Sequence, residues 1–422
     1  MGKRKSNKFL YLFSGLLVLM FALAGCSSSN EASGKSADGK TKLTIHYYVG
    51  AISKGSIEAA KKNFPKYKLD FVELPADNNY DVKLKTSLNS KSAPDIAAVN
   101  SNIQDFLPYA NKFVNLLDYG ANDLADQYVE WKWESAKTGD KKSMIAMPLD
   151  IGPTGLFYRE DLFKEAGLPT DPKEVSAKIV TADDYLAAAK QMKEKINKPL
   201  FLSAVGILGE RYRALDAGMY NEDGKLTLAD GKLKQEWDFV VEAINEGYTL
   251  GTKSNSIDNV NAINEGMYGA YIGASWGVMD VKDADKSAGK WRIAKTPGGY
   301  SNQGGSYLAV LGNTKHPKEA VEVVKFLTNE ASQLSNLTEN SLFPSMKSIY
   351  DKPEMVNKDD FFGGQEINEY FIDAANNISY VYRDPRDTSA FRYFEDQITL
   401  VETQGKDPEK AWKDAVKKAE GL

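Results

Sequence analysis

Hydrophobic and polar residues alternate in some short stretches of the chain, and stretches with a helical spacing of apolar residues lie between them. Residues 43–49, 67–74 and 95–99 have the pattern of strands, and residues 56–63 and 80–88 have the pattern of helices. This order predicts a parallel sheet with helices on both faces. Because ligands bind beyond the carboxyl ends of strands in such sheets, the loops that follow the first and third strands are expected to face a ligand.

The rest of the chain alternates in a similar way and predicts a second α/β lobe. Gly167 suits the end of a helix, Thr181 followed by acidic residues suits the beginning of one, and Pro317 suits a first helical turn. The predicted strands are 155–158, 268–272 and 304–310, and the predicted helices are 160–166, 182–195, 233–246, 317–327 and most of 365–421, interrupted at 376–387. The chain shows no repeat of the kind that marks solenoid proteins.

The first 25 residues follow a different pattern. A basic stretch precedes an apolar run over residues 10–23, which is shorter than the roughly 20 residues that span a bilayer, so residues 1–25 have the layout of a secretory signal peptide. Leu23-Ala24-Gly25-Cys26 resembles the lipobox of bacterial lipoproteins, which implies that Cys26 is the lipidated mature N-terminus. The alternative is a free cysteine in an uncleaved anchor. Residues 26–41 are polar and rich in Ser and Gly, which predicts a flexible tether.

Composition narrows the classes of partner. Removing residues 1–25 takes away four basic and no acidic side chains, so the formal charge changes from −5 to −9. Such a surface makes nucleic acid a poor partner. The remaining length suggests two or three domains. The chain has one cysteine and therefore no intramolecular disulfide.

Four stretches of the mature chain carry a family resemblance. They are Ala93-Pro94-Asp95-Ile96, the segment from Met147-Pro148 to Gly167, the segment from Gly269 to Trp276, and Gly304-Gly305 leading to His316-Pro317. In this order they resemble the extracellular solute-binding proteins of ABC importers, the family that includes maltose-binding protein. The resemblance implies an α/β fold of the periplasmic-binding-protein type, with two discontinuous lobes and a central ligand cleft. The N-terminal lobe is expected to comprise 42–153 plus 305–344, and the C-terminal lobe 154–304 plus 345–422.

The same resemblance implies a function. A lipid-anchored monomer on the extracellular face of the cell membrane, in a Gram-positive-type envelope, would capture a carbohydrate, in particular an oligosaccharide, by closure of its lobes. It would then deliver the sugar to the transmembrane permease subunits of an ABC importer. No cofactor is expected. A binding protein for a non-sugar polar solute is one alternative.

A secreted lipoprotein enzyme acting on carbohydrate is a second alternative, since two positioned carboxylates suffice for glycoside hydrolysis and carboxylates are plentiful here. However, the sequence contains no catalytic signature, and neither zinc nor EF-hand spacing is present. We therefore expect no catalytic residues and no metal site. An adhesin is a third class, but it would show repeats or a β-rich pattern.

A sugar cleft needs amide or carboxylate groups beside exposed aromatic rings. Trp276 follows a predicted strand where similar proteins place a stacking aromatic, although a packed tryptophan is the alternative. Asp150 could accept bonds from sugar hydroxyls or serve as a turn or cap carboxylate. Asn100 and Asn102 follow the third strand, where they either face the cleft or form a turn. Tyr48 ends the first strand, and alternation turns it away from its neighbour.

Two further segments are candidates for contact with the ligand. Gly304 and Gly305 allow the backbone to approach a ligand, or they form a turn that leads into a strand. Tyr382 and Arg383 lie in a loop of the last region, where similar proteins return to the cleft. Arg383 could donate to sugar hydroxyls or to an acidic sugar, but an ion-pair network in solvent is the alternative.

Overall fold

The computed structural model describes residues 39–76, 79–90, 92–252 and 256–422. The predicted signal peptide, Cys26 and most of the predicted tether lie outside these residues. The described strands are β1 (Thr41–Tyr48), β2 (Tyr67–Leu74), β3 (Ile96–Val99), β4 (Ala146–Pro148), β5 (Asp150–Ile151), β6 (Thr154–Arg159), β7 (Ala270–Ala274), β8 (Trp291–Ala294), β9 (Tyr307–Val310) and β10 (Phe343–Pro344).

The first lobe is built on a sheet with the strand order β2-β1-β3-β9-β4. Strand β1 runs parallel to β2 and β3, as the strand–helix alternation predicts. Strand β9 runs antiparallel to both β3 and β4, so the parallel prediction is wrong for the late part of this sheet. The reason is that β9 arrives from the other lobe rather than through a crossover helix.

The second lobe is built on a sheet with the order β7-β6-β8, in which both pairings are antiparallel. All six residues of β6 are buried, because it is the central strand. The chain passes from the first sheet to the second between Pro148 and Thr154 and returns between Ala294 and Tyr307. A short antiparallel pairing of β5 with β10 accompanies the first passage. The predicted boundaries at 153/154 and 304/305 fall within these passages, and the lobe assignments themselves stay predictions.

Helices cover both sheets, and their ends follow local chemistry. Thr181 begins its helix and Pro317 occupies the first turn of its helix, both as predicted, and Asp184 completes a reciprocal capping box with Thr181 that the sequence analysis did not predict. The helices are α1 (Lys54–Asn63), α2 (Tyr80–Ser87), α3 (Glu130–Glu134), α4 (Glu160–Glu165), α5 (Pro172–Lys178), α6 (Ala182–Ile196), α7 (Ala204–Arg213), α8 (Leu233–Asn245), α9 (Ile257–Glu265), α10 (Gly277–Lys282), α11 (Pro317–Leu327), α12 (Glu330–Asn340), α13 (Asn368–Asn377), α14 (Asp387–Gln404) and α15 (Pro408–Ala419).

Two clusters of buried apolar side chains form the cores. One is centred on the first sheet and extends to residues near 343–375 and to Phe157, Trp291 and Ile293 of the second sheet, and the other joins the remainder of the second sheet to α6, α7, α8, α14 and α15. The first core therefore runs across the junction between the two sheets. Within the described part of the chain, no helix has the length and apolar character needed to cross a membrane.

Candidate functional site

A cleft of about 1450 Å³ opens between the two lobes. The first lobe contributes the loop after β3 and helix α3 with the loop that follows it. The second lobe contributes the end of α7 and the segment that joins α13 to α14. The aromatic residues along the cleft are Trp131, Tyr212, Tyr300, Tyr307, Tyr380, Tyr382 and Phe391, and the amide residues are Asn102, Gln104, Asn302, Gln303, Asn376 and Asn377. The volume exceeds the roughly 300–1,000 Å³ of a pocket for one drug-sized molecule.

Lys132 is the most deeply buried cation of the first-lobe wall, with a residue exposure of 1%. Its Nζ lies 3.7 Å from the centre of the Tyr307 ring, which is a cation–π contact. Burial lowers the pKa of Lys132 to about 7, although the nearby Asp150 carboxylate acts in the opposite direction. Burial likewise raises the pKa of Asp150, against the effect of Lys132. The wall thus presents an ammonium group that is easily deprotonated.

The second-lobe wall is a stack of rings and charges. The Tyr212 ring lies 4.1 Å from the Phe391 ring, and the Arg383 guanidinium lies 4.7 Å from the Tyr212 ring. Asp387 accepts hydrogen bonds from the backbone N–H groups of Met219 and Tyr220 at 3.1 and 3.2 Å. Burial raises the pKa of Asp387 to about 6. These contacts tie Arg383, Tyr212 and Phe391 together along one face of the cleft.

A smaller pocket of about 130 Å³, called the side pocket below, adjoins the cleft. Its residues include Tyr185, Glu210 and Trp276, and it shares Arg213 and Gln303 with the cleft. Burial raises the pKa of Glu210 to about 8, with Arg213 acting in the opposite direction. The side pocket is therefore a small polar extension of the second-lobe wall.

Metal chemistry has no evident place among these groups. Across the described ranges of the chain, no cluster of three or more His, Cys, Asp or Glu side chains is arranged to hold a metal ion. What the cleft offers instead is ring faces, amides and charged groups on two separate lobes, which suits reversible binding of a polar molecule.

A sequence model of the bacterial extracellular solute-binding proteins matches residues 56–363, which is well over half of the chain. The chain belongs to this family. A crystal structure described as an extracellular solute-binding protein of family 1 superposes with a TM-score of 0.84 and 29% identity, covering 90% of this chain and 99% of that one. The two-lobed α/β fold inferred from the sequence is therefore confirmed.

Two characterised relatives span most of this solute-binding protein. The lactose-binding protein of Rhizobium radiobacter is 25% identical over 341 residues, covering 76% of this chain and 78% of that protein. The arabinooligosaccharide-binding protein of Bacillus subtilis (strain 168) is 24% identical over 418 residues, covering 90% of each. As a member of a family of solute-binding proteins, the chain is a binding protein and not an enzyme.

Four of the residues selected from sequence line the cleft of this solute-binding protein: Asn102, Gly304, Tyr382 and Arg383. The Asn102 amide also donates to Asp105 at 3.1 Å, and Arg383 also donates to the Ala217 carbonyl at 3.3 Å. The Arg383 guanidinium also lies 4.0 Å from the Asp387 carboxylate, so Arg383 combines a cleft position with an ion pair, the two roles that the sequence left open. Contact with ligand stays a prediction for all four.

The other selected residues lie outside the cleft lining. Tyr48 shares a 2.5 Å hydrogen bond with the Ser306 hydroxyl, and Asp150 is 2% exposed and accepts from the Ser306 N–H at 2.8 Å. The side chain of Asn100 accepts from the next backbone N–H at 2.8 Å, which is the local turn bond that was the alternative. These contacts give each residue a structural role, and their ligand roles stay untested predictions.

Trp276 and Gly305 also have structural partners. The half-buried Trp276 lines the side pocket, and its ring lies against Gly152 and Gly304, where a Cβ would approach within 2.4 and 2.7 Å. Gly305 has φ +92°, and a Cβ there would lie 2.4 Å from the Asp150 carbonyl oxygen. Gly152, Gly304 and Gly305 thus allow the close packing of the segment between the lobes.

Sequence reasoning missed several cleft residues, above all Lys132, Trp131, Tyr212 and Arg213. The only sequence signal for Lys132 is its place between two tryptophans, Trp131 and Trp133. A charged residue flanked by large rings is a sign of a partly buried site, but α3 is too short for its periodicity to show which face is covered.

Proposed function

We propose that this protein is the ligand-capturing receptor of an ABC importer and that its ligand is an oligosaccharide. The observation that carries the proposal is the large cleft between two lobes, lined by ring faces and by amides. Sugars offer apolar ring faces for stacking and hydroxyls for hydrogen bonds, and the cleft supplies partners for both. Because both lobes contribute residues to this large cleft, it suits a ligand of several linked sugar units better than a single sugar.

The characterised relatives support the same ligand class. Their names assign them lactose and arabinooligosaccharides, which are a disaccharide and oligomers of a pentose. Contacts from both lobes to one ligand stabilise the closed state, and the closed state is what a permease can distinguish from the empty receptor. Delivery to transmembrane permease subunits and action as a monomer are parts of this proposal.

The anchoring part of the proposal rests on the lipobox-like sequence that ends at Cys26. A lipid on Cys26 would hold the receptor at the extracellular face of the cell membrane, while residues 27–41 would let it reach a permease. Replacing Cys26 by Ser removes the acceptor thiol, so the variant protein is expected to incorporate no labelled palmitate in growing cells. A Ser27→Ala variant is the matched control and should keep the label.

The binding part is tested by titrating the purified protein with lactose, arabinotriose, galactobiose and digalacturonic acid while following tryptophan fluorescence. We expect a saturable change with at least one neutral saccharide, because Trp131 lies in the cleft wall. Chromatography of the ligand after incubation should return it unaltered. No response to any sugar, together with a response to a non-sugar polar solute, would replace the carbohydrate assignment.

A further inference from the structure

The side-chain amide of Asn102 lines the cleft, and its nitrogen end is already engaged. Asn102 precedes a short 3₁₀ turn, and its Nδ2 donates a hydrogen bond to the Asp105 carboxylate at the end of that turn, at 3.1 Å. An ionised carboxylate only accepts hydrogen bonds, so the nitrogen end of the amide faces Asp105 and the oxygen end is turned away from it. The orientation of the Asn102 amide is therefore set by Asp105.

The Asp105 carboxylate is itself held in place by Lys85 of α2. The Lys85 Nζ donates to the same carboxylate oxygen that accepts from Asn102, at 3.1 Å. The side chain of Asp105 is only 10% exposed, so this ion pair is partly sheltered from screening by salt. The Lys85 ammonium also lies 5.3 Å from the centre of the buried Phe106 ring. Lys85 thus keeps Asp105 ionised and fixed beside Asn102.

A second carboxylate, Asp81, acts on the same amide. Burial raises the pKa of Asp81 to about 6, and the charge of Asp105 adds to this effect. Lys85 and the Asn102 side chain act in the opposite direction. A side chain that stabilises a nearby carboxylate presents its N–H groups to it, so Asp81 favours the same orientation of Asn102 as Asp105 does.

The same pair of residue types occurs elsewhere in the first lobe, where the amide oxygen is used differently. Asn115 donates to Asp118 at 3.2 Å with the same spacing of three residues, and its oxygen accepts from the backbone N–H groups of Leu117 and Met144 at 3.3 and 3.0 Å. In the part of the chain that the structure describes, the Asn102 oxygen accepts no hydrogen bond, and it is not among the polar atoms that are buried without a partner. Asn102 therefore presents an unused acceptor at the cleft.

We propose that Asn102 accepts a hydrogen bond from a hydroxyl group of the saccharide, and that Asp105 and Lys85 are positioning residues that hold the Asn102 oxygen toward the cleft. This inference rests on the proposed function, since it assigns one contact of the same ligand. A hydroxyl group can donate to this oxygen, whereas an ether oxygen or a carboxylate cannot. The arrangement therefore selects a ligand with a free hydroxyl group at this point.

The deciding experiment is a double-mutant cycle of Asn102→Ala and Asp105→Asn, in which binding of lactose or arabinotriose, whichever the wild type binds, is measured by calorimetry. Asn102→Ala should weaken binding about three- to tenfold, the loss of one hydrogen bond. Asp105→Asn keeps the shape of the side chain but can turn its oxygen to Lys85 and its N–H groups to Asn102, which reverses the Asn102 amide. Binding should weaken about two- to fivefold.

The cycle separates a positioning role from a structural one. In the Asn102→Ala background, Asp105→Asn should have no further effect on binding, because Asp105 acts on the ligand only through Asn102. Asn115→Ala and Asp118→Asn are the matched controls, since that pair lies outside the cleft lining. Asn115→Ala should lower the melting temperature, because two backbone N–H groups lose their acceptor, and both controls should bind like the wild type.

Three results would contradict the inference. If Asn102→Ala binds every saccharide as tightly as the wild type does, the Asn102 oxygen meets only solvent, and the inference fails while the proposed function stands. If Asp105→Asn weakens binding equally with Asn and with Ala at position 102, Asp105 does not act through Asn102 and the positioning role is overturned. If the wild type binds no saccharide, the proposed function fails first, and this inference with it.

Discussion

Gly304 offers a test of how tightly the segment between the lobes is packed. A Cβ added at this position would have the Trp276 ring as its three nearest heavy atoms, at 2.7, 3.2 and 3.8 Å. Carbon atoms in contact prefer about 3.5–4.0 Å, so the ring would have to move by nearly 1 Å. Overpacking of this kind costs about 1–3 kcal/mol, and we expect Gly304→Ala to lower the free energy of unfolding by that amount.

The contribution of the Trp276 ring to this cost can be isolated by replacing Trp276 with a shorter side chain. Trp276→Leu keeps an apolar side chain but does not reach the added methyl group, so Gly304→Ala should cost almost nothing in that background. The coupling free energy of the double-mutant cycle should therefore be about 1–3 kcal/mol. Gly305→Ala is the matched control. Its Cβ meets the Asp150 backbone at 2.4 Å and its φ is +92°, so its cost should be the same with Trp or Leu at position 276.

The assay is urea unfolding of the four proteins in the cycle and of the two Gly305 variants, followed by circular dichroism. Unchanged m-values would show that the variants unfold from the same folded state. An equal cost of Gly304→Ala in both backgrounds would refute the reasoning, because the strain would then come from the backbone and not from the indole ring. Rescue of Gly305→Ala by Trp276→Leu would refute it as well.

Three further perturbations test separate parts of the structure. Asp387→Ala leaves two buried backbone N–H groups without an acceptor and should cost about 2–4 kcal/mol in urea unfolding, whereas Asp396→Ala on the exposed side of the same helix should change stability little. Thr181→Ala removes the N-cap of α6 and should cost about 1 kcal/mol, while Thr181→Ser should retain most of it. The folded-state pKa of Glu210 is raised to about 8, so between the unfolded pKa and pH 8 the folded protein keeps a proton on Glu210 that the unfolded chain has lost. The free energy of unfolding should therefore fall from about pH 5 to pH 8, by at most about 1.4 kcal/mol per pH unit. Glu210→Gln should remove the part of this pH dependence that comes from Glu210.

The local pattern of hydrophobic and polar residues was enough to predict most helices and strands of the fold. The alternation of residues in β1 places Leu43, Ile45 and Tyr47 on one side of the strand, and all three are buried in the core. Thr181 caps its helix by bonding to Asp184, which is only three residues away, so the local sequence is enough to predict the cap. The direction of β9 was not predictable in this way. Its antiparallel pairing depends on a passage from the other lobe, and a short apolar run carries no sign of direction.

The site was less predictable because its contacts join distant parts of the chain. Lys132 acquires its lowered pKa from burial beside Tyr307, which comes from a different strand far along the sequence. Asp150 is a polar residue at a turn in the sequence, yet the fold buries it against Ser306. Tyr382 and Arg383 line the cleft, and they were selected because the family resemblance places their loop of rings and charges there.

The position of β9 has a consequence for the order of synthesis and export. This strand lies between β3 and β4 in the first sheet, although it follows them in the chain by the whole of the second sheet. A chain that emerges N-terminus first, from a ribosome or through a translocation pore, cannot close its first sheet until residue 310 has emerged. Until then β3 and β4 have no strand between them, so the first sheet can be completed only after all strands of the second sheet have emerged.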